Sequence, residues 1–362
     1  MKKRGRGAII AVFLVAIVIF GLIYEAWNTV TTVFEPPAPG QAQSVTLSIQ
    51  PGETTTQIAD DLYKKGLIHS TLAFIVWARV KGLDKTLEAG VYTLTPGTNI
   101  DGIIAKLQNG QPDAKNLLVQ DGWRLEQIAN AADGVVSGFS KIAFLNWTRH
   151  PKTFPDYAKY PLLQGRATME GLLFPDTYAI PVNYNTTQII DLMLTEMVNN
   201  VQPLIAAAKT HKMDVYQMIT LASIVEREAS NDRQMPKIAG IYWNRLFTQN
   251  DETVGEMASD PTVEYAYDTD HPPAANSHYW VDLNNRGTGK TVDVNSPWNT
   301  YTHKGLPPTP ISAPKLSALK AAAAPASTPC YFFYTQPKTG ALVCEATQEQ
   351  ITADEQRDHL NQ

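Results

Sequence analysis

Three times in the first part of the chain a short apolar stretch is followed by a glycine turn. Six residues after each glycine, an isoleucine opens an apolar helical face. Val45–Ile49 leads to Pro51-Gly52 and Ile58-Ala59, Val91–Leu94 to Pro96-Gly97 and Ile103-Ile104, and Leu117–Val119 to Asp121-Gly122 and Ile128-Ala129. Strand, glycine turn and helix, used three times, accounts for the pattern. It predicts a small α+β module over residues 45–112, the third unit leading into a larger mixed α+β domain over 113–362. Farther on, Ile190, Leu194, Met197 and Val201 recur at helical spacing within a predicted helix from Thr187 to Lys209. Helices are also expected from Val215 to about Ala229 and from Met235 to Phe247. Residues 251–315 are rich in Pro, Asn, Gly, Thr and aromatics. Long irregular segments in a compact domain are functional or disordered, and Tyr265, Tyr267, Tyr279, Trp280, Trp298 and Tyr301 argue against disorder. Rings among polar side chains suit a carbohydrate groove, and they suit plain packing equally.

The N-terminus has a different pattern. Lys2, Lys3, Arg4 and Arg6 precede an uncharged apolar run from Ala8 to Tyr24, and a helix of about 17 to 25 such residues crosses the hydrocarbon of a bilayer. The basic flank keeps residues 1–7 in the cytoplasm, with residues 8–27 as a transmembrane anchor. Residues 28–44, with Pro36, Pro37 and Pro39, form an extended tether. A cleaved signal peptide is the rival. The apolar run exceeds the ~7 to 15 residues of a signal core, and no small-x-small site follows directly.

Charge narrows the partners. The chain carries 30 basic and 35 acidic side chains; without the four basic residues ahead of the apolar run the net is −9. A nucleic-acid binder shows a basic stripe, and none is visible. Cys330 and Cys344 are the two cysteines, too few for a zinc site. They flank a predicted hairpin, Tyr331–Thr335 and Ala341–Cys344. Tight closure around Pro337–Gly340 does not set them directly opposite, so the sequence leaves a disulfide open. Gly287-Thr288-Gly289-Lys290-Thr291 falls short of a phosphate loop: its first glycine would be Asn284, and Pro297 blocks the helix. His271, His278 and His303 lack metal-ligand spacing, and there is no G-x-S-x-G elbow. No metal or cofactor is expected.

The string Leu221–Ser230, LASIVEREAS, carries the chemistry. On a helix Met218, Leu221, Ala222 and Val225 form one apolar stripe. Thr220, Ser223 and Arg227 fall opposite, and Glu226 and Glu228 flank the stripe. Glu228 follows Ile224 by four and Leu221 by seven, so it stands over apolar neighbours. Desolvation there raises a carboxyl's pKa, as a general acid near neutral pH requires. Helix geometry alone equally describes two surface glutamates flanking an arginine.

The string resembles the signature of the endolytic murein transglycosylase family, also called YceG-like. The likeness extends to Glu170–Tyr178 (EGLLFPDTY), to Asn244-Arg245-Leu246, to Ser259-Asp260-Pro261-Thr262-Val263 with Tyr265, and to Asn299-Thr300-Tyr301. Gly305-Leu306-Pro307-Pro308 with Pro310-Ile311, and Lys320-Ala321-Ala322 with Pro325, continue it in the same order. The module holding Ala89-Gly90-Val91-Tyr92 is similar to the family's LysM-like subdomain. The resemblance covers nearly the whole chain after the apolar run.

It implies cleavage of the β-1,4 bond between N-acetylmuramic acid and N-acetylglucosamine within peptidoglycan strands, leaving 1,6-anhydro ends. The family's catalytic glutamate falls on Glu228, with Glu226 the second candidate, as a partner of Arg227 or Arg245 or as the acid itself. Ordinary glycosidases use two carboxylates; here the sugar's own 6-hydroxyl attacks, and one group serves as acid and then base. Substrate-binding roles are expected of Asn299, Thr300, Tyr301, Asp260, Tyr265, Glu170 and Asp176. Asp260 would orient Arg245 or a substrate amide, unless Asp-Pro simply opens a turn. Cell-wall synthases are expected partners by the same analogy. The family's Gly-x-His-x-Phe element is replaced here by Gly340-Ala341-Leu342-Val343-Cys344, so no histidine role carries over. A non-catalytic wall-binding scaffold and a hydrolytic muramidase are the alternatives.

Overall fold

The computed structural model describes residues 37, 44–49, 52–82, 87, 90–109, 114–248, 252–274, 279–280 and 294–360. The apolar run Ala8–Tyr24 and nearly all of the tether lie outside them, as do Gly287–Thr291 and His278. Among the described residues no helix is long and apolar enough to cross a membrane. The chain divides into two compact units: one runs to Lys115 and includes Pro181–Asn183, the other comprises Asn116–Ile180 and Tyr184–Gln362.

In the first unit β1 (Val45–Ile49) pairs antiparallel with β2 (Gly90–Leu94), Leu47 opposite Tyr92. Helices α1 (Thr55–Lys64), α2 (Thr71–Val80) and α3 (Ile100–Asn109) complete it. The glycine turns are as the spacing requires. Gly52 and Gly97 have φ of 83° and 90°, a region open to glycine without a Cβ penalty. Ile58 and Ile103, six residues on, are buried with Leu47, Leu62, Phe74, Tyr92 and Leu107. Thr54 caps α1 through a capping box with Gln57.

The second unit opens with the third copy of the pattern. β3 (Ala114–Leu118) is followed by Gly122, φ 72°, and α4 (Leu125–Ala132). Helix α5 (Lys141–Arg149) and three single 3₁₀ turns lead to β4 (Thr177–Pro181), which pairs with β3. The helix expected over Thr187–Lys209 is broken. α6 (Thr186–Val201) ends in a 3₁₀ turn, Gln202–Leu204, before α7 (Ile205–Thr210). Pro203 has no N–H to give and crowds the preceding turn. The α6 stripe Ile190, Leu194, Met197 and Val201 is buried as its spacing predicts.

Next come α8 (Val215–Glu228) and α9 (Met235–Phe247). The segment read as irregular contains a helix, α10 (Asp260–Asp270). Asp260-Pro261 opens this helix rather than a turn, because proline in the first helical turn loses no intrahelical hydrogen bond. α11 (Leu316–Ala323) packs on α8 and α9. The hairpin β5 (Phe332–Thr335) and β6 (Leu342–Glu345) follows, then α12 (Gln348–Leu360). The register sets Phe333, not Cys330, opposite Cys344. Tyr331 N–H still reaches Glu345 O at 2.9 Å, bringing the two cysteine Cα atoms within 5.8 Å, and they form a disulfide.

Candidate active site

Helix α8 is the centre of the second unit. Asp214 caps it in a capping box with Gln217, at 2.8 and 2.9 Å. Met218 through Glu226 are buried without a break. The side expected to be polar therefore does not face solvent. A strap, residues 310–315, covers it. Ile311 N–H donates to Ser223 Oγ and Ser312 Oγ donates to Ser223 O, both at 3.0 Å. Gly171, at φ 70°, packs against the strap so closely that a Cβ would come 2.3 Å from Pro310 Cβ and 2.9 Å from Ser312 O.

The two glutamates of the motif part company. Glu226 Oε2 accepts the Lys315 backbone N–H at 3.0 Å, and Lys315 Nζ lies 3.4 Å from its Oε1. The same ammonium reaches Asp121 and Asp232, each at 2.9 Å. Burial pushes Glu226 up to about 7, with Lys315 opposing. Among the described residues neither Arg227 nor Arg245, the partners expected from sequence, hydrogen-bonds to Glu226, which anchors the strap. Arg227 instead lies with its guanidinium carbon 4.4 Å from the Trp280 ring centroid.

Glu228 is the last residue of α8, and extended backbone at Ala229 ends the helix there. Its Oε1 accepts from the Tyr242 hydroxyl at 2.5 Å and the Ser259 hydroxyl at 2.6 Å. Among the described residues neither donor goes to Oε2. Burial raises the carboxyl above its ordinary value. Ser259, Tyr242 and Arg245 oppose that shift, and the nearby Asp260 adds to it. The negative end of a helix dipole also disfavours an anion here.

Ser259 is held to this task from several sides. Its N–H donates to Thr300 Oγ1 at 3.0 Å, and Ala258 N–H donates to Thr300 O at 3.0 Å. Ala258 has φ 50°, a left-handed conformation rare for alanine. Arg245, 6% exposed, donates to the carbonyls of Met257, Ala258 and Tyr331 and thereby clamps the loop before Ser259. Asn244 holds the segment leading into β5 through Thr328 O and Cys330 O, at 2.7 and 3.0 Å. Tyr242 has no mark of its role in the sequence, and Ser259 appears only as the first residue of a motif. They stand 14 and 31 residues from Glu228 along the chain, beyond any helical spacing.

The expected binding residues divide. Asp260 and Tyr301 lie beside Glu228, Tyr301 donating its hydroxyl to Asp260 at 2.6 Å. Arg245 is committed to three backbone carbonyls and Asp260 to the Tyr301 hydroxyl, which leaves the other expected role of Asp260, toward a substrate amide. Thr300 is buried and serves Ser259. Asn299 is fully buried; its Nδ2 donates to Val294 O at 2.8 Å and its Oδ1 accepts from Tyr301 N–H at 3.0 Å. Both hold the loop instead of facing sugar. Asp176 accepts the Thr177 N–H at 2.6 Å at the start of β4 and lines a separate surface hollow with Glu196 and Lys315.

Glu170 and Tyr265 belong to another cavity, of about 500 Å³, with Arg124, Glu126, Tyr279 and Trp298 in its walls. Glu170 Oε2 lies 3.4 Å from the Tyr265 hydroxyl and 3.5 Å from Leu125 N. Burial, with Glu126 nearby, pushes Glu170 up to about 8. Burial would raise Glu126 too, but the guanidiniums of Arg124 and Arg149 hold it below its ordinary value.

The YceG-like family model matches residues 47–357. The chain belongs to the YceG-like family. A relative, the endolytic murein transglycosylase of Bacillus subtilis, is 30% identical over 330 residues, covering 87% of this chain and 85% of that protein. The endolytic murein transglycosylase of Streptococcus pneumoniae is 26% identical over 347 residues; the match takes in 90% of this chain and only 60% of that longer protein. The crystal structure of a yceG-like protein from Listeria monocytogenes is similar in fold, with a TM-score of 0.54 and 29% identity, covering 86% of this chain and 99% of that one. The mixed α+β architecture is thus shared within the YceG-like family.

Proposed function

We propose that the chain is an endolytic murein transglycosylase, cutting the β-1,4 bond between N-acetylmuramic acid and N-acetylglucosamine within peptidoglycan strands. The observation that carries this reading is the state of Glu228. Burial raises its carboxyl above the ordinary value, as a proton donor requires, while one oxygen is fixed by two hydroxyl donors and the other is left for substrate. The protonated carboxyl gives its proton to the glycosidic oxygen as the bond to the muramyl C1 breaks. The resulting carboxylate is stabilised by Tyr242 and Ser259. It then takes the proton of the muramyl 6-hydroxyl as that oxygen bonds to C1, closing the 1,6-anhydro ring. Glu228 ends as it began, and no water is consumed. Asp260 and Tyr301, at the same end of α8, are placed to meet the sugars.

The same reading makes residues 8–27 a single-pass anchor with residues 1–7 in the cytoplasm. The tether and both units then lie outside the cytoplasmic membrane. The basic residues ahead of the apolar run support it, and so does the Cys330–Cys344 disulfide, since such bonds persist in oxidising compartments. The first unit would act as a LysM-like glycan-binding module, and cell-wall synthases would be partners.

The test is Glu228→Gln. Sacculi digested with the wild-type chain should yield anhydro-muropeptides, lighter by one water than hydrolytic products. The variant should yield none while folding normally. A second reading, hydrolysis with Asp260 as the other carboxylate, draws on the closeness of Asp260 to Glu228; products of full hydrolytic mass would establish it instead.

A further inference from the structure

The cavity around Glu170 has no part in the chemistry at Glu228. Glu170 is 2% exposed. Its Oε2 faces two donors, Leu125 N–H and the Tyr265 hydroxyl, whereas its Oε1 has no hydrogen-bond partner. With donors on Oε2, a proton on this carboxyl belongs on Oε1, which no donor of the protein reaches. A buried polar group left so costs about 1–3 kcal/mol and calls for an explanation.

The neighbouring charges are paired with one another, although Arg124 Nε and Glu126 Oε2 make no hydrogen bond. Arg124 donates to Tyr265 O at 3.2 Å and Thr269 Oγ1 at 2.7 Å, with its Nε 3.5 Å from Glu126. Arg149 takes the other oxygen of Glu126 at 2.9 Å. Asp268 accepts the Trp280 N–H at 3.1 Å. The cavity is therefore poorly suited to an anionic ligand. Trp298 is fixed by Nε1 to Thr309 Oγ1 at 3.0 Å, and its ring lies 5.8 Å from that of Tyr265. The fixed Trp298 ring and one neutral donor match the apolar face of a pyranose and an acetamido carbonyl. Helix α10 joins the two places: Ser259 and Asp260 at its start adjoin Glu228, and Tyr265, a further roughly 7.5 Å along the axis, lines the cavity.

We propose that this cavity is a second carbohydrate site that takes an N-acetylated amino sugar of the glycan strand away from the cleaved bond, Glu170 donating to its acetamido carbonyl and Trp298 packing on the ring, with Tyr265 held beneath Arg124 as part of the wall. The proposal rests on the reading of the chain as one that acts on glycan.

Calorimetry on the full chain carrying Glu228→Gln tests it, since strands are then not cut during titration. The probes are peptide-free glycan strands, the same strands after N-deacetylation, and free stem peptide. Glu170→Met should weaken strand binding about tenfold, the loss of one hydrogen bond. Glu170→Gln, whose amide still donates, should keep the affinity, and deacetylated strands should bind the parent as weakly as native strands bind the Met variant. Above pH 8 the parent should lose affinity and the Gln variant should not. The groups facing Glu170 in that titration are Glu126, Arg124, Tyr265 and Tyr216. This comparison decides the matter should the Met variant fail to fold. Unchanged strand affinity in a folded Met variant, identical pH profiles for parent and Gln variant, or binding of stem peptide in place of strands would overturn the proposal. Failure of the lytic reading is separately visible, as absent ring-closed ends from the wild-type chain with this binding pattern intact.

Discussion

Glu170→Gln has a consequence for stability whose sign and size follow from burial. The carboxyl ionises near 4.5 when exposed in the unfolded chain and near 8 in the folded protein. Between those values the folded state holds a proton that the unfolded state has released, so stability falls as pH rises. The stabilising contribution is complete below pH 4.5 and gone above pH 8. At about 1.4 kcal/mol per pH unit the loss over that window is ~5 kcal/mol, of which about 3 kcal/mol has accrued by pH 7. Glutamine has the same shape and nothing to ionise. Its amide nitrogen takes the place of Oε1, which accepts nothing in the wild type. Urea unfolding of wild-type and variant chains, followed by tryptophan fluorescence, should therefore nearly coincide at pH 5. At pH 8 the variant midpoint should lie higher by about 1.5 M, taking a slope of about 3 kcal/mol per M. Comparing the two proteins at each pH cancels every other titrating group. A difference between them that does not change from pH 5 to pH 8 refutes the assignment of a neutral Glu170.

Two further outcomes are expected. Gly171→Ala should destabilise the second unit by about 3 kcal/mol or more, since its φ of 70° is hostile to a side chain and the new methyl meets Pro310 and the strap carbonyl; thermal melts read the loss, and an unchanged midpoint contradicts the close packing. Ser259→Ala removes one of two donors to Glu228 and should lower turnover about tenfold, with the alkaline limb of the pH–rate profile moving to higher pH because the carboxylate is less stabilised; a limb that stays or moves to lower pH argues against Glu228 as the acid.

The elements the chain could announce by itself are those set by near neighbours. Gly52, Gly97 and Gly122 terminate strands, and Ile58, Ile103 and Ile128 begin buried helix faces, because turn chemistry and helical period act over six residues or fewer. The limits of α8 and α9 and the stripe of α6 were legible for the same reason. Pro203 marks the break between α6 and α7, which apolar spacing alone runs across. Asp260-Pro261 reads alike as a turn or a helix start, and only the packing of α10 against α8 decides between them.

The site is another matter. The motif marks Glu226 and Glu228 equally, two residues apart on one helix. What separates them is the third dimension: Lys315 claims Glu226 across 89 residues, and Tyr242 and Ser259 converge on Glu228. Burial on every side of α8 likewise depends on the strap, whose contacts with Ser223 span nearly as far. A carboxyl's protonation is governed by which dipoles and charges surround it, and those are delivered by packing between distant segments. Local pattern therefore sufficed to name the helix and its two acids. Choosing the one held for proton transfer, and finding another buried acid in a cavity with Tyr265, required the folded chain.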